Sequence, residues 1–447
     1  MSRLARPRTS RSRRRNADRA NAATLAVHLL LSALIAIPSG DAKAELLGDF
    51  YPDGVPGYGE ARGVTVLSRL HPMYDPLGVD IGGYTVKPEL DESVGYDSNP
   101  LGVANGKGSA VINTTAQISF NDNMDTYTIG AVAGVSNNIY PELPDDDYTN
   151  YYAALGAAID VGDGRLTLGA AHLFLHQDPT TIDAIPASAP IGFTIRATYG
   201  LNFGRWTAAP SLSYQSWHFN STTALNGLPL PQAYRDRDIV QGGMTFDYEL
   251  GPQRKAVFSV QALDTHYPNG LPGQPTQDSQ SYLALVGLDY DGDGIWRWRF
   301  LVGGELREFT SSAYHSHAAP VGEADVTWNP SGLTTVSGQL MRTIEDASQE
   351  GVAGFTYTRA RVVVDHEYLR NVFLQARAAM QVAQFLQGGG VQTIETIGAG
   401  VTWLVNRHLR LAINYDHTAQ QGGPSAPGLS TGNYVRDLAL VTLRLLM

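Results

Sequence analysis

The stretch "DYDGDGIWRWRF", Asp289 to Phe300, holds side chains that could do chemistry. Asp289, Asp291, Asp293 and Gly294 stand at the first, third, fifth and sixth positions of a calcium-loop pattern. The pattern fails further on. Its ninth position is Arg297, which repels a cation, and its twelfth is Phe300, where a bidentate Glu should close the shell. Alternating residues flank the loop instead of helices, so Asp291 to Gly294 reads as a tight turn between two strands. The arginines beyond it, Arg297, Arg299 and Arg307, share one face of the second strand with Glu305. Trp296, Trp298 and Phe300 take the other face.

This two-faced pattern recurs along the chain. In "GFTIRATYGL", Phe193, Ile195, Ala197, Tyr199 and Leu201 oppose Thr194, Arg196 and Thr198. In "LRLAINYD", Leu409, Leu411, Ile413 and Tyr415 oppose Arg410, Ala412, Asn414 and Asp416. From Tyr84 onward, period-two alternation gives 18 segments of about 10 to 16 residues, with 16 strands as the alternative count. Every second connection is tight: "GDG", "FGR", "GPQR", "DGDG", "NPSG", "LRN" and "NRH" alternate with longer ones such as "QDPTTIDAIPASAP" and "NSTTALNGLPLPQAYRD". A soluble sandwich gives no reason for such alternation. A transmembrane barrel does, with tight periplasmic turns and longer outer loops, and closure removes the sheet edges that lipid would not tolerate. The expected fold is all-β, an antiparallel up-and-down barrel in the porin size range.

The chain ends and composition agree with that class. Arg3, Arg6, Arg8, Arg11, Arg13, Arg14, Arg15 and Arg19 precede an apolar run from Ala22 to Ile37. A small-x-small site follows at Ala42-Lys43-Ala44, so residues 1–44 read as a secretory signal. Without it, nine basic and two acidic residues go, and the formal charge moves from −11 to −18, which argues against nucleic acid as a partner. With no cysteine, no disulfide framework holds the exported chain together. Residues 45–83, rich in Gly and Pro, are a periplasmic extension, a partner contact, a plug or a disordered lead-in. The barrel occupies 84–447.

The segment "YDPLGVDIGGYTVKPELDESVGYDSNP" resembles the entry into the barrel of the β-barrel porin-2 family of outer-membrane proteins. Tyr74, Asp75, Pro76 and Gly78 match its opening, Gly82 and Gly83 its Gly-rich step, and Pro88 the early proline of the first strand. Gly95, Tyr96, Asp97 and Asn99 match its close. The resemblance implies an outer-membrane channel of a Gram-negative bacterium, often tied to exopolysaccharide loci. It also implies periplasmic polysaccharide export proteins as possible partners, besides lipid, lipopolysaccharide and the barrel assembly machinery. One departure stands at the end. The chain closes on "ALVTLRLLM" rather than an aromatic residue, although Ala439, Val441, Leu443, Leu445 and Met447 keep the apolar alternation.

Cost decides which face is which. An arginine facing lipid near the midplane costs about 2–4 kcal/mol, so the polar faces line the lumen. The expected lumen residues are Arg196, Arg297, Arg299, Glu305, Arg307, Arg359, Arg361, Asp365, Glu367, Arg377 and Arg410. They would guide anionic or hydroxyl-rich solutes, brace the wall by pairing, or do both. Trp296, Trp298, Phe300, Tyr199 and Tyr415 are expected toward lipid or in the girdles. Trp217 and Phe219 could face inward for sugar stacking or belong to the outer girdle. Acidic connections with Asp145, Asp146, Asp147, Glu345, Asp346 and Glu350 could hold divalent cations or be solvated loop charge. His172, His176, His218 and His266 form no recognisable catalytic set, and no metal or phosphate-cradling motif is present. Neither enzymatic activity nor a cofactor is expected. The leading expectation is a passive channel for exopolysaccharide export. The alternatives are a general or solute-selective uptake porin and a non-conducting structural or adhesive barrel.

Overall fold

The computed structural model describes Val55 and residues 64–447, except 83, 124–125, 179–180, 185–188, 224–227, 272, 293, 350 and 424–431. The expected signal at 1–44, the aspartate Asp293 and the loop residue Glu350 therefore lie outside the described residues.

Eighteen long strands form one closed sheet. They are β1 Tyr84–Asp97, β2 Ser109–Asn123, β3 Tyr127–Ile139, β4 Tyr148–Val161, β5 Gly164–Phe174 and β6 Pro190–Phe203. Next come β7 Trp206–Phe219, β8 Arg237–Gly251, β9 Arg254–His266, β10 Ser279–Asp291, β11 Trp296–Phe309 and β12 His317–Ser331. The last are β13 Thr334–Glu345, β14 Phe355–Leu369, β15 Val372–Phe385, β16 Val391–Leu404, β17 Leu409–Gly422 and β18 Tyr434–Leu446. Each pairs antiparallel with the next, and β18 pairs back onto β1, with Asp91 opposite Arg444 and Asp97 opposite Leu438. The short strand Val79–Ile81 adds onto the start of β1. The closed count is the expected 18, and closure leaves no long edge to be solvated by lipid.

The tight connections all lie at the end where β1 begins and β18 finishes, and the long ones at the other. Positive φ at Gly162 (59°) and Gly204 (67°) lets two of the turns reverse in two residues. The outward faces carry apolar residues and, near the tight turns, paired aromatics. Trp296 stacks on Trp328 at 5.2 Å, Tyr290 meets Trp298 at 5.5 Å, and Trp206 meets Tyr248 at 4.6 Å. Such a girdle marks one membrane interface. Trp296, Trp298, Phe300, Tyr199 and Tyr415 all face outward, on the register that places Arg297 and Arg299 inward.

Candidate functional site: a narrowed, charge-lined lumen

Every residue of the expected lumen set lies on the inward face: Arg196 on β6, Arg297, Arg299, Glu305 and Arg307 on β11, Arg359, Arg361, Asp365 and Glu367 on β14, Arg377 on β15 and Arg410 on β17. Most are engaged. Arg377 grips Asp416 with Nε at 2.7 Å and Nη2 at 2.5 Å, Arg410 reaches Asp75 at 3.3 Å, and Arg299 lies 3.5 Å from Glu323. Arg297 stands 3.6 Å from Asp291 across the turn. Asp365 accepts a hydrogen bond from Gln375 at 2.8 Å, and Glu367 accepts one from Arg69. Glu305, Arg307, Asp365 and Glu367 are buried rather than bathed by lumen water. Bracing thus accounts for much of the set.

Arg196 and Arg361 differ, because neither has an ion-pair partner among the described residues. Each is the seventh residue of its strand from the outer end, and their strands, β6 and β14, lie on nearly opposite walls. Arg359 shares the face of Arg361, two residues nearer the outer rim. Two unpaired guanidinium groups therefore stand across the lumen from each other near mid-height.

The outer end is narrowed from within. The β12 and β13 ladder begins at Gly322 and Arg342, while β12 continues along β11 to His317 and β13 along β14 to Glu345. Pro320 has no N–H to offer β13 there, and the tip of the β13–β14 hairpin leans inward over Glu305 and Arg307, whose lumen-facing side chains bond its backbone. Side chains replace the lost ladder. Glu305 accepts from the Thr343 hydroxyl at 3.3 Å and the Ile344 N–H at 3.2 Å, and Arg307 donates to the Ile344 carbonyl at 3.1 Å. Arg307 also donates to Asp346 at 2.7 Å and Ser281 at 2.9 Å.

The loop after this hairpin then meets two loops from the far wall. Arg235, in the short helix Ala233–Arg235, donates to Ser348 Oγ at 2.6 Å and lies over the Phe219 ring at 4.1 Å. Tyr234 donates to the Ser348 carbonyl at 2.7 Å. Asp183, from the β5–β6 loop, accepts from Ser348 N–H and Gln349, and its own N–H donates to Gln392 at 3.0 Å. Ile182 packs beside it against Ala347, Phe355, Ala383, Phe385 and Ile394. Burial pushes the Asp183 carboxyl up to about 6 and brings Arg235 down to about 10, Arg237 adding to the latter. Trp217 and Phe219 face inward and are buried among Leu173, Leu175 and Ile239, so the outer-girdle alternative does not hold for them.

Asp346, offered by the sequence as loop charge or a cation ligand, is instead the acceptor for Arg307 and lies 3.5 Å from Arg237. Asp147 accepts from the Tyr140 N–H at 2.6 Å. His172 faces outward, His176 stacks on Tyr148 at 4.0 Å, His218 lies 2.7 Å from Asp236, and His266 lies 3.3 Å from Asp278.

The inner end carries a strap from the segment before β1. Val66 N–H donates to Thr335 at 3.0 Å, Arg69 to the Gly332 carbonyl at 2.7 Å, and Arg407 to the Pro72 carbonyl at 2.8 Å. His71 sets its ring edge on Phe373 at 5.0 Å, and burial lowers its pKa. Within residues 45–83, the described stretch from Val64 to Ile81 makes these contacts with the wall. Val55 is buried on the inner apolar patch of Trp217 and Phe219.

The motif that carries the resemblance works at the seam. Asp97 takes both Nε and Nη2 of Arg436 at 2.6–3.1 Å, and Arg436 Nη1 reaches Asp178 at 3.1 Å. Asn99 donates from its side chain to the Val103 carbonyl at 2.8 Å and, from its N–H, to Asp97 at 2.9 Å. Asp75 holds Arg410, and Tyr96 faces outward beside the last strand. Arg436 and Arg444 were open to the same parity count as the other arginines, whereas Arg235, Asp183 and Ser348 lie in aperiodic loops.

The family described as "Putative beta-barrel porin 2" matches residues 71–445. Curated proteins give no match. Among solved structures, the outer membrane protein OpdK from Pseudomonas aeruginosa is similar at 12% identity, with 81% of this chain and 99% of that one covered and a TM-score of 0.41. OccK2 (OpdF) from the same organism is similar at 10% identity, with 81% and 98% covered and a TM-score of 0.43. The siderophore receptor PirA from Pseudomonas aeruginosa matches at 9% identity over 81% of this chain and 80% of that one, with a TM-score of 0.38.

Proposed function

The chain belongs to the beta-barrel porin 2 family, and from that premise we propose that it is an outer-membrane diffusion channel for small hydrophilic solutes, with anions preferred. Its location is the outer membrane. The observation that carries the proposal is the narrowed outer end. The loops bearing Asp183, Arg235 and Ser348 meet across the mouth, which suits passage of small molecules and does not suit threading of a polymer. The unpaired Arg196 and Arg361 then supply the preference for anions at mid-height, since the remaining arginines are largely neutralised by their partners. The channel performs no chemistry, and a concentration gradient supplies the driving force.

Polymer export, the leading expectation from the sequence, finds no lumen feature among the described residues to carry it, and the uptake reading fits the narrow mouth better. Residues 1–44 would serve as the export signal, and the outward apolar faces and rim charges would meet lipid and lipopolysaccharide. The last strand would present its apolar alternation to the assembly machinery.

Proteoliposome swelling with a graded series of sugars and sugar acids tests the proposal. Monosaccharides should enter, uronates faster than neutral sugars of equal size, and oligosaccharides should be excluded. Absence of any permeation would favour the non-conducting barrel. A deletion strain that loses polymer secretion while its small-solute uptake is unchanged would overturn the uptake reading in favour of export.

A further inference from the structure

The outward face of β1 runs Val86, Pro88, Leu90, Glu92, Val94 and Tyr96, and Glu92 breaks it. Leu90, Val94 and the cross-strand neighbour Leu443 are exposed by 40%, 50% and 39%, so this carboxylate stands on the lipid-facing surface. Glu92 is the ninth of fourteen residues, well below the outer rim. Its partner among the described residues is the Thr114 hydroxyl at 2.7 Å. The polar row continues outward through Asn137 and Thr149, which bond at 2.9 Å. Ionisable groups facing hydrocarbon are costly and persist where other polar groups meet them.

Beside this row the wall is low. Ala131 and Ala133 of β3, Ala153 of β4 and Ala170 of β5 floor a shallow outward groove, with Ile118, Phe120, Leu155 and Phe193 higher around it. Small side chains on a membrane-facing surface let two backbones approach closely. At the far side stands His172, also outward and, like Glu92, the ninth residue of its strand from the tight-turn end. The face thus has an acceptor on one flank, small residues in the middle, and a donor on the other flank at the matching level.

We infer that the outer face of β1–β5 is where a second copy of this chain docks within the membrane. Two convex barrels touch along a line. With β3 on that line and a two-fold axis parallel to the membrane normal, β1 of each copy comes to lie against β5 of the other. Glu92 of one copy then turns toward His172 of the other, twice, while the alanines permit the approach. The face is complementary to itself in hydrogen-bond donor and acceptor and in relief, as an isologous contact requires. No other charge on the face offers Glu92 a donor of its own copy beyond Thr114 among the described residues.

Because the chain has no cysteine, the arrangement can be read directly. A Glu92→Cys/His172→Cys double variant in native outer membranes, treated with a short bismaleimide, should give a cross-linked dimer. Either single variant should give little. Wild-type protein in mild detergent should sediment as a dimer, and Glu92→Leu should raise its dissociation constant about tenfold. Ala133→Trp, at the contact line, should do the same. Heat-modifiable migration checks that each barrel is folded, and conductance per barrel should not change. A monomer at every protein concentration would overturn the inference. So would stronger cross-linking of Glu92→Cys to itself than to His172→Cys, or recovery with a different membrane protein in place of a second copy.

Discussion

Replacing Arg307 by Met should open the outer end of the channel without unfolding the barrel. The Arg307 guanidinium is fully buried and holds Asp346 at 2.7 Å, the Ile344 carbonyl at 3.1 Å and Ser281 at 2.9 Å, with Glu305 at 3.8 Å. Methionine keeps much of the length and loses every donor. Removing one partner of a buried ion pair costs about 3–5 kcal/mol because the remaining charge is stranded. Arg237, 3.5 Å from Asp346, still offsets part of that, which sets the expected loss near 3 kcal/mol, roughly a hundredfold in a local equilibrium. The loss falls on the β13 tip, where side chains already substitute for the missing β12 ladder, and leaves the other ladders intact. The inward loop should therefore populate an outward position. Single-channel conductance should rise and proteoliposomes should admit larger sugars, and Arg307→Met/Asp346→Leu, with no stranded carboxylate on that loop, should recover part of the closure. Unchanged conductance and size limit in a correctly folded Arg307→Met barrel would refute the reasoning.

Acidification should tighten the mouth. Burial holds Asp183 at about 6 against an ordinary 3.8, so the closed loop binds a proton that the open loop releases. The closure term is full below about 4 and is lost as pH rises toward about 6, a span of about 3 kcal/mol. Conductance should fall between pH 7 and 4.5, and Asp183→Asn should flatten the profile in its low-conductance state. Asp97→Ala takes three of its hydrogen bonds from the buried Arg436 at the β1–β18 seam, leaving it the half-exposed Asp178, and should lower the temperature at which the barrel loses its heat-resistant migration. Arg69→Ala leaves the buried Glu367 without that donor, and the strap should then become sensitive to limited proteolysis between Val64 and Asp75.

Much of this architecture was legible in the sequence because a barrel wall is periodic. The alternation in Pro190–Phe203 and Trp296–Phe309 fixes which side chains face inward, and "GDG" and "FGR" are too short to be anything but hairpin turns. Parity cannot say what a side chain meets after it enters the lumen. Arg307 and Arg361 read alike in the sequence, yet one is sealed under a loop and the other has no ion-pair partner among the described residues. The loops with Asp183, Arg235 and Ser348 have no period, and their meeting depends on long-range packing. Pro320 and the inward lean it permits are likewise invisible without the neighbouring strand. Glu92 is the reverse case: parity places it toward lipid, but one polar residue does not name the surface that covers it.

The central claim is that an aqueous path crosses this barrel and that Arg196 and Arg361 set its preference. The most direct measurement is the reversal potential in planar bilayers across a potassium chloride gradient, for the wild type and for Arg196→Gln/Arg361→Gln. The account predicts measurable conductance with a reversal potential of the sign for anion preference, moving toward zero or past it in the double variant. Cation preference in the wild type, or no conductance at all, would contradict it.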